Sequence, residues 1–311
     1  MKVNAAILLC TYNGAAYLQE QLESYSQQSL NNWSLFVFDD ASTDNTKEIV
    51  EQFTQRCAGI NNVQWLQNKA RMGFSRNFFN AIASTPKDFD YYALSDQDDI
   101  WQKEKLARAV SFLSNEGHSK PALYCSRTIL TDKDGKEIGY SPLFKRPASF
   151  SNALVQSIAG GNTMVLNKAA IGLLSKIKPD LDVISHDWFI YQLVSGAGGT
   201  VHYDPVPTLL YRQHGNNVIG SNVGIFAKVT RIGKLFAGGY KSWNERNIKA
   251  LRSCASLNLL TRENMEKLEL FSQARKEGLV TRCAKFLKSG IYRQTFEGNL
   301  ALILGAIINK L

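Results

Sequence analysis

Three carboxylates, Asp96, Asp98 and Asp99, fall within four residues of the stretch YYALSDQDDIW. Carboxylates packed this closely repel one another unless a cation offsets the charge. Hard divalent cations such as Mg²⁺ or Mn²⁺ take a few carboxylates and complete their shell with substrate phosphates. The cluster therefore points to a metal that carries a phosphorylated ligand. Other polar residues recur where apolar runs end. Thr11, Tyr12 and Asn13 follow AAILLC, and Asp39 and Asp40 close SLFVFDD. Downstream, SIAGGNTMVL sets two glycines and Asn162 before an apolar run, ISHDWFIYQLV opens with His186 and Asp187, and TLLYRQHGNN carries Arg212 and His214. Each has a plainer reading: an Asp after a strand as a helix cap or turn residue, a Gly-Gly as a tight turn, a loop His as a solvated side chain.

The elements that position these residues are legible from periodicity. Ala5 to Cys10 is an apolar run of strand type, and AAYLQEQLESYSQQSL carries Tyr17, Leu18, Leu22 and Tyr25 at helical spacing. SLFVFDD, NVQWLQN and DYYALSD read as further buried strands, with helices over ASTDNTKEIVEQFTQR and FSRNFFNAIAST between them. Strand and helix alternating over short links predict an α/β fold, a mostly parallel sheet with helices on both faces. Ligands of such sheets bind beyond the carboxyl ends of the strands. The ends at Thr11–Asn13, Asp39–Asp40 and Asp96–Asp99 should thus open on one rim.

Composition narrows the class. With 44% hydrophobic and 20% charged residues, 311 residues suit a globular chain of one large domain and a smaller appendage. The five cysteines form no CxxC pair, which argues against a disulfide framework or a zinc site and for a reducing, cytoplasmic setting. Charge is uneven: residues 222–311 hold 16 Lys+Arg and 6 Asp+Glu, a net of +10, against −1 for residues 1–221. A basic tail that also holds apolar stretches such as NLALILGAIINKL suits an anionic membrane surface; a plain helical cap on the core is the alternative. Its longest apolar run, residues 300–308, is too short to span a bilayer. No nucleic-acid-binding signature is present.

In the order LLCTYNG, LFVFDDASTDNT, YALSDQDDIW, HDW and YRQHGNNVIG, the chain resembles the family 2 glycosyltransferases of GT-A fold. It is most similar among them to bacterial rhamnosyltransferases of surface polysaccharide synthesis. The resemblance covers residues 3–221, which sets a catalytic domain at 1–221 and a helical C-terminal region at 222–311. It implies that Thr11, Tyr12, Asn13, Asp39 and Asp40 hold the base and ribose of a nucleotide-sugar, UDP- or dTDP-linked. Asp96 would face the ribose, and Asp98 and His214 would hold the metal, with Asp99 as a helix cap or, as the lesser possibility, a further metal contact. Arg71 and Asn77 would lie near the base and donor sugar, Gly161 and Asn162 at the donor–acceptor junction, and Arg212 at the diphosphate. Asp187 would be the general base of a single, inverting displacement. The implied reaction moves a sugar, L-rhamnose first, to a saccharide acceptor, lipid-linked in the fullest form of the reading, with the enzyme peripheral on the cytoplasmic face. The QxxRW motif of processive members is absent. Two other classes compete: a nucleotidyltransferase, against which stands the lack of an early Gly-rich basic loop, and an inactive nucleotide- or carbohydrate-binding module.

Overall fold

The computed structural model describes residues 3–214 and 239–311. Its centre is a seven-stranded sheet. Strands β1 (Ala5–Thr11), β2 (Trp33–Asp39), β3 (Asn62–Gln67) and β4 (Tyr91–Ser95) run parallel. Beside β4 lies β9 (Val165–Asn167), antiparallel both to β4 and to β6 (Ala122–Ser126), and β10 (Thr200–Asp204) closes the far edge parallel to β6. The order across the sheet is β10-β6-β9-β4-β1-β2-β3. A second sheet of four strands joins β5 (Ile100–Trp101), β11 (Leu209–Arg212), β7 (Ile129–Thr131) and β8 (Glu137–Tyr140) in that order.

Because successive strand residues point to opposite faces, β1 divides its side chains between two cores. Ala5, Ile7 and Leu9 face one core, which is filled by α1 (Leu18–Ser26), α2 (Thr46–Cys57) and α4 (Lys105–Glu116) through Leu22, Tyr25, Phe53, Leu106 and Leu113. Ala6, Leu8 and Cys10 face the other. There α3 (Phe74–Ser84), α5 (Phe150–Ala153), α6 (Lys168–Leu174) and α7 (His186–Gly196) pack on the sheet. Four C-terminal helices, α8 (Gly239–Ser256), α9 (Arg262–Ala274), α10 (Leu279–Ser289) and α11 (Phe296–Ile307), enter the same core through Leu251, Phe271, Phe286 and Leu302.

The expected strands, helices and two-faced sheet are all present. The expected boundary between residues 221 and 222 lies outside the described residues, as does the GNNVIG part of the last motif. All five cysteines are free. Among the described residues no helix is long and apolar enough to cross a membrane.

Candidate active site

The register Thr11↔Asp39 between β1 and β2, and Leu9↔Ser95 between β1 and β4, brings the three polar strand ends to one rim. The floor of that rim is hydrogen-bonded backbone and acid. Asp39 is fully buried; Oδ1 accepts from Thr11 Oγ1 (2.8 Å) and Ser42 Oγ (2.5 Å), and Oδ2 from Ser42 N (2.8 Å). Ala41 turns the chain at φ +64°, a strained value for a residue with a Cβ, and thereby lets Ser42 reach back to Asp39. Asp40 is equally sunk. Its oxygens accept from the backbone of Met72 and Gly73 (both 2.8 Å) and from Asn68 Nδ2 (3.1 Å), so it moors the loop between β3 and α3. Asn77 lies beneath, buried, donating to Phe38 O (2.8 Å) and accepting from Asn68 (2.9 Å). Thr11, Asp39, Asp40 and Asn77 thus form the frame of the rim. Its open surface is made by Tyr12, Asn13 and Arg71. The Arg71 guanidinium lies 4.0 Å above the Tyr12 ring, and Asn13, at φ +47°, accepts from Thr43 N (2.8 Å).

The acidic box hangs from this rim by Gln97, which accepts from Tyr12 N (2.8 Å) and donates to Tyr12 O (3.1 Å). Gly14 leaves room for that contact, since a Cβ there would overlap the Gln97 amide. The three acids then part company. Asp98 faces His214, Oδ2 to Nε2 at 2.8 Å, and the imidazole stacks on Tyr17 at 4.9 Å. Asp96 is raised well above the ordinary carboxyl range by burial and by the charges of Asp98 and Asp187. Asp99 is not the helix cap expected of it. It precedes β5, which pairs with β11, and α4 begins only at Lys105. Asp99 is buried and accepts from Asn162 Nδ2 (2.6 Å), and its proton affinity is pushed up by burial and by its two acidic neighbours.

A cation sits beneath these acids. Lys105, on the first turn of α4, is 0% exposed. Its ammonium donates to Asn162 O (2.6 Å), lies 4.5 Å from the centre of the Trp101 ring and interacts with Asp99 and Asp96. Burial pulls it down to about 7, and the two acids oppose that shift. A lysine this deep escaped the sequence reading because its type is normally solvated. The available signal was its place on the inward face of a helix, beside Leu106, directly after the acidic box.

Against this group, Gly161–Thr163 form a 3-10 turn whose Asn162 bridges Asp99 and Lys105. The Gly161 backbone abuts His186, and a Cβ at 161 would overlap Nε2. His186 is buried, stacked on Phe78 at 3.9 Å, with neither ring nitrogen partnered among the described residues, and burial lowers it to about 4. It is therefore a neutral imidazole. Asp187 stands next to it in the first turn of α7. Ser185 Oγ and Trp188 N (2.6 Å) both donate to its Oδ1. Oδ2 accepts no hydrogen bond among the described residues. Trp188 in turn donates to Ala153 O (2.7 Å), which locks the start of the helix.

Arg212 is a buried strut. It donates to Asp98 O (3.2 Å), Lys133 O (2.9 Å) and Glu20 Oε2 (2.8 Å), and stacks over Tyr17. It sets the back of the Asp98–His214 pair. No group of three or more metal-ligating side chains occurs among the described residues. Asp98 and His214 nevertheless bring one carboxylate and one imidazole within 2.8 Å of each other. That donor set suits a divalent cation that draws its remaining ligands from a diphosphate and water.

Comparison with known proteins agrees with this geometry. The model of glycosyl transferase family 2 matches residues 6–171. The chain is similar to a dTDP-rhamnosyl transferase, RfbG of Shigella flexneri, at 32% identity over 237 residues, 72% of this chain and 78% of that one. In structure it is similar to S. aureus TarS in complex with UDP-GlcNAc (TM-score 0.53, 16% identity, 93% of each chain). It is also similar to a mannosyltransferase from Pyrobaculum calidifontis in complex with GDP-Man and Mn²⁺ (TM-score 0.52, 16% identity, 98% of this chain and 85% of that one). The structural matches show a shared GT-A fold. The chain belongs to glycosyl transferase family 2 and is a glycosyltransferase.

Proposed function

We propose that the protein transfers L-rhamnose from dTDP-L-rhamnose, with inversion, to a hydroxyl of a saccharide acceptor that is carried on a lipid during surface polysaccharide synthesis. The observation that carries the reading is Asp187, whose Oδ1 is held by Ser185 and Trp188 while its charge reaches Asp96 on the donor side. A carboxylate fixed at one oxygen and open at the other, within electrostatic reach of an acidic box, is placed to serve as a general base. Asp187 takes the acceptor hydroxyl proton as that oxygen bonds to the anomeric carbon. The bond from that carbon to the nucleoside diphosphate breaks in the same displacement. Asp98 and His214 would hold a divalent metal, Mg²⁺ or Mn²⁺, which when bound neutralises charge on the departing diphosphate. Tyr12, Asn13 and Arg71 offer the open face to the base, over the frame of Thr11, Asp39, Asp40 and Asn77. Gly161, without a Cβ, allows close approach where donor and acceptor meet. Arg212 acts here by positioning Asp98, a contribution one step removed from the diphosphate. The choice of rhamnose is supported by the similarity to the dTDP-rhamnosyl transferase.

Thermal unfolding with dTDP, UDP and GDP, each with Mg²⁺ or Mn²⁺, tests the donor. A ligand at 100 times its dissociation constant adds about 2.7 kcal/mol. Metal-dependent stabilisation by dTDP that disappears in Asp98→Ala is the expected result. A response to UDP alone would move the donor to a UDP-sugar, and no response to any nucleotide would sink the reading. Asp187→Asn tests the base: turnover should fall by about 10²- to 10⁴-fold while nucleotide stabilisation persists. Loss of both together would make Asp187 a structural residue.

A further inference from the structure

The last helix, α11, is apolar on two opposite sides. Its inward side, Leu302, Gly305 and Ala306, packs on the core, and Arg282 of α10 donates to the carbonyls of Ala306 (2.9 Å) and Ile307 (3.2 Å). Its outward side carries Phe296, Leu300, Ile303, Leu304 and Ile307, spaced i, i+4, i+7, i+8 and i+11, which is a single stripe. Phe296 is 76% exposed, and Ile303 and Leu304 are each 56% exposed. On α10, Val280 and Leu287, both 83% exposed, also point outward. The outward face of a surface helix is ordinarily polar. On α11 the charged side chain is Glu297, in the first turn. A contiguous apolar stripe of this kind marks an interaction surface.

Charge selects the occupant. Residues 239–311 hold 13 Lys+Arg and 6 Asp+Glu, a net of +7, whereas residues 1–221 sum to −1. Of the +10 carried by residues 222–311, +7 lies in the region that bears the stripe. Lys288 follows Leu287 on exposed α10, and Lys310 follows α11. A second copy of the chain, joined through this face about a twofold axis, would set two positive regions against each other. An anionic lipid surface would attract the same charges and accept the same apolar side chains. At twelve residues, about 18 Å, α11 is far shorter than the roughly 30 Å hydrocarbon core, so it would lie in the plane of the interface. We propose that α11 docks the protein on an anionic lipid surface, with the stripe from Phe296 to Ile307 at the headgroup boundary and exposed basic side chains of the C-terminal helices, Lys288 among them, on the headgroups. The inference rests on the preceding reading only in giving that contact a purpose, delivery of a lipid-carried acceptor.

The test is sedimentation of the full chain with phosphatidylcholine vesicles with and without phosphatidylglycerol, at low and high salt, without donor or acceptor. Its failure would therefore leave the transfer chemistry standing. Binding should be about tenfold or more stronger to the anionic vesicles and weaken with salt. Ile303→Asp and, separately, Phe296→Ser should lower it by about tenfold, with unfolding temperature and turnover on a soluble acceptor unchanged. Three results would overturn the proposal: no sedimentation with anionic vesicles, equal binding by the variants, or a wild-type dimer in light scattering that these variants render monomeric.

Discussion

At the level of single residues, the site is governed by burial of ionisable groups more than by their number. His186 is the clearest case. Burial lowers it to about 4, below its ordinary 6.5, so the folded protein holds it neutral while the unfolded chain takes up a proton. The unfolded state then binds more protons between those values, and stability must fall as pH drops from 6.5 toward 4. Over that window the contribution is about 3 kcal/mol. The difference in urea stability between wild type and His186→Asn, measured at pH 7.5 and at pH 5, isolates it from the nearby acids. The wild type should lose more on acidification, and parallel losses would show that the imidazole is hydrated in the folded state. Asp96, Asp98 and Asp187 stand out in the sequence as acids at strand and helix ends, and His214 only through the family resemblance. The burial of His186 was not legible there, since nothing local announces Phe78 above it and Gly161 beneath.

At the level of elements, the acidic box is one end of a brace. The β4–β5 connection carries Asp99, α4 carries Lys105, and the 3-10 turn before β9 carries Asn162, which bonds to both. Removing the cation takes away the charge that opposes the upward shift of both acids, so they bind protons more readily and the cost stays below the about 3–5 kcal/mol of an uncompensated buried charge. Lys105→Met should lower the urea stability by less than that at pH 7 and by more at higher pH, where the acids must ionise; a loss that does not grow with pH would overturn the brace. The strands β1 to β4 and helices α1 to α3 were readable from alternation and helical spacing. The start of α4 was not: the turn signal at Asp99 leads into a two-residue strand held by β11, more than a hundred residues away in the chain. The three-residue β9 was visible only as an apolar run, and its antiparallel place between β4 and β6 is a tertiary outcome.

For the whole molecule, the C-terminal helices complete the core on which the catalytic sheet rests. Asn264 of α9 donates to the carbonyls of Ser195 (3.1 Å) and Gly196 (3.0 Å), and so caps the last turn of the helix that Asp187 begins. Leu260 packs so closely on Gly196 that a Cβ there would overlap it. The basic composition of this region was plain in the sequence, and its part in the core matches the alternative of a helical cap, though apolar positions on a helix do not name their partner. A chain ended after residue 214 would bare the face of α5 and α7 that holds Phe150, Phe189 and Ile190. It should be recovered in inclusion bodies; a soluble fragment with a cooperative unfolding transition would show that the catalytic domain stands alone. The place of β9 has a further consequence, for the order in which the protein comes into being. The parallel strands β1 to β4 can associate as they leave the ribosome, but β6 has no neighbour among them and must wait for β9, made some forty residues later. Asn162 lies just ahead of β9, so the strand that joins the two halves of the sheet also delivers the group that Asp99 and Lys105 require. A nascent chain therefore joins the two halves of its sheet and gains the Asn162 brace in the same step.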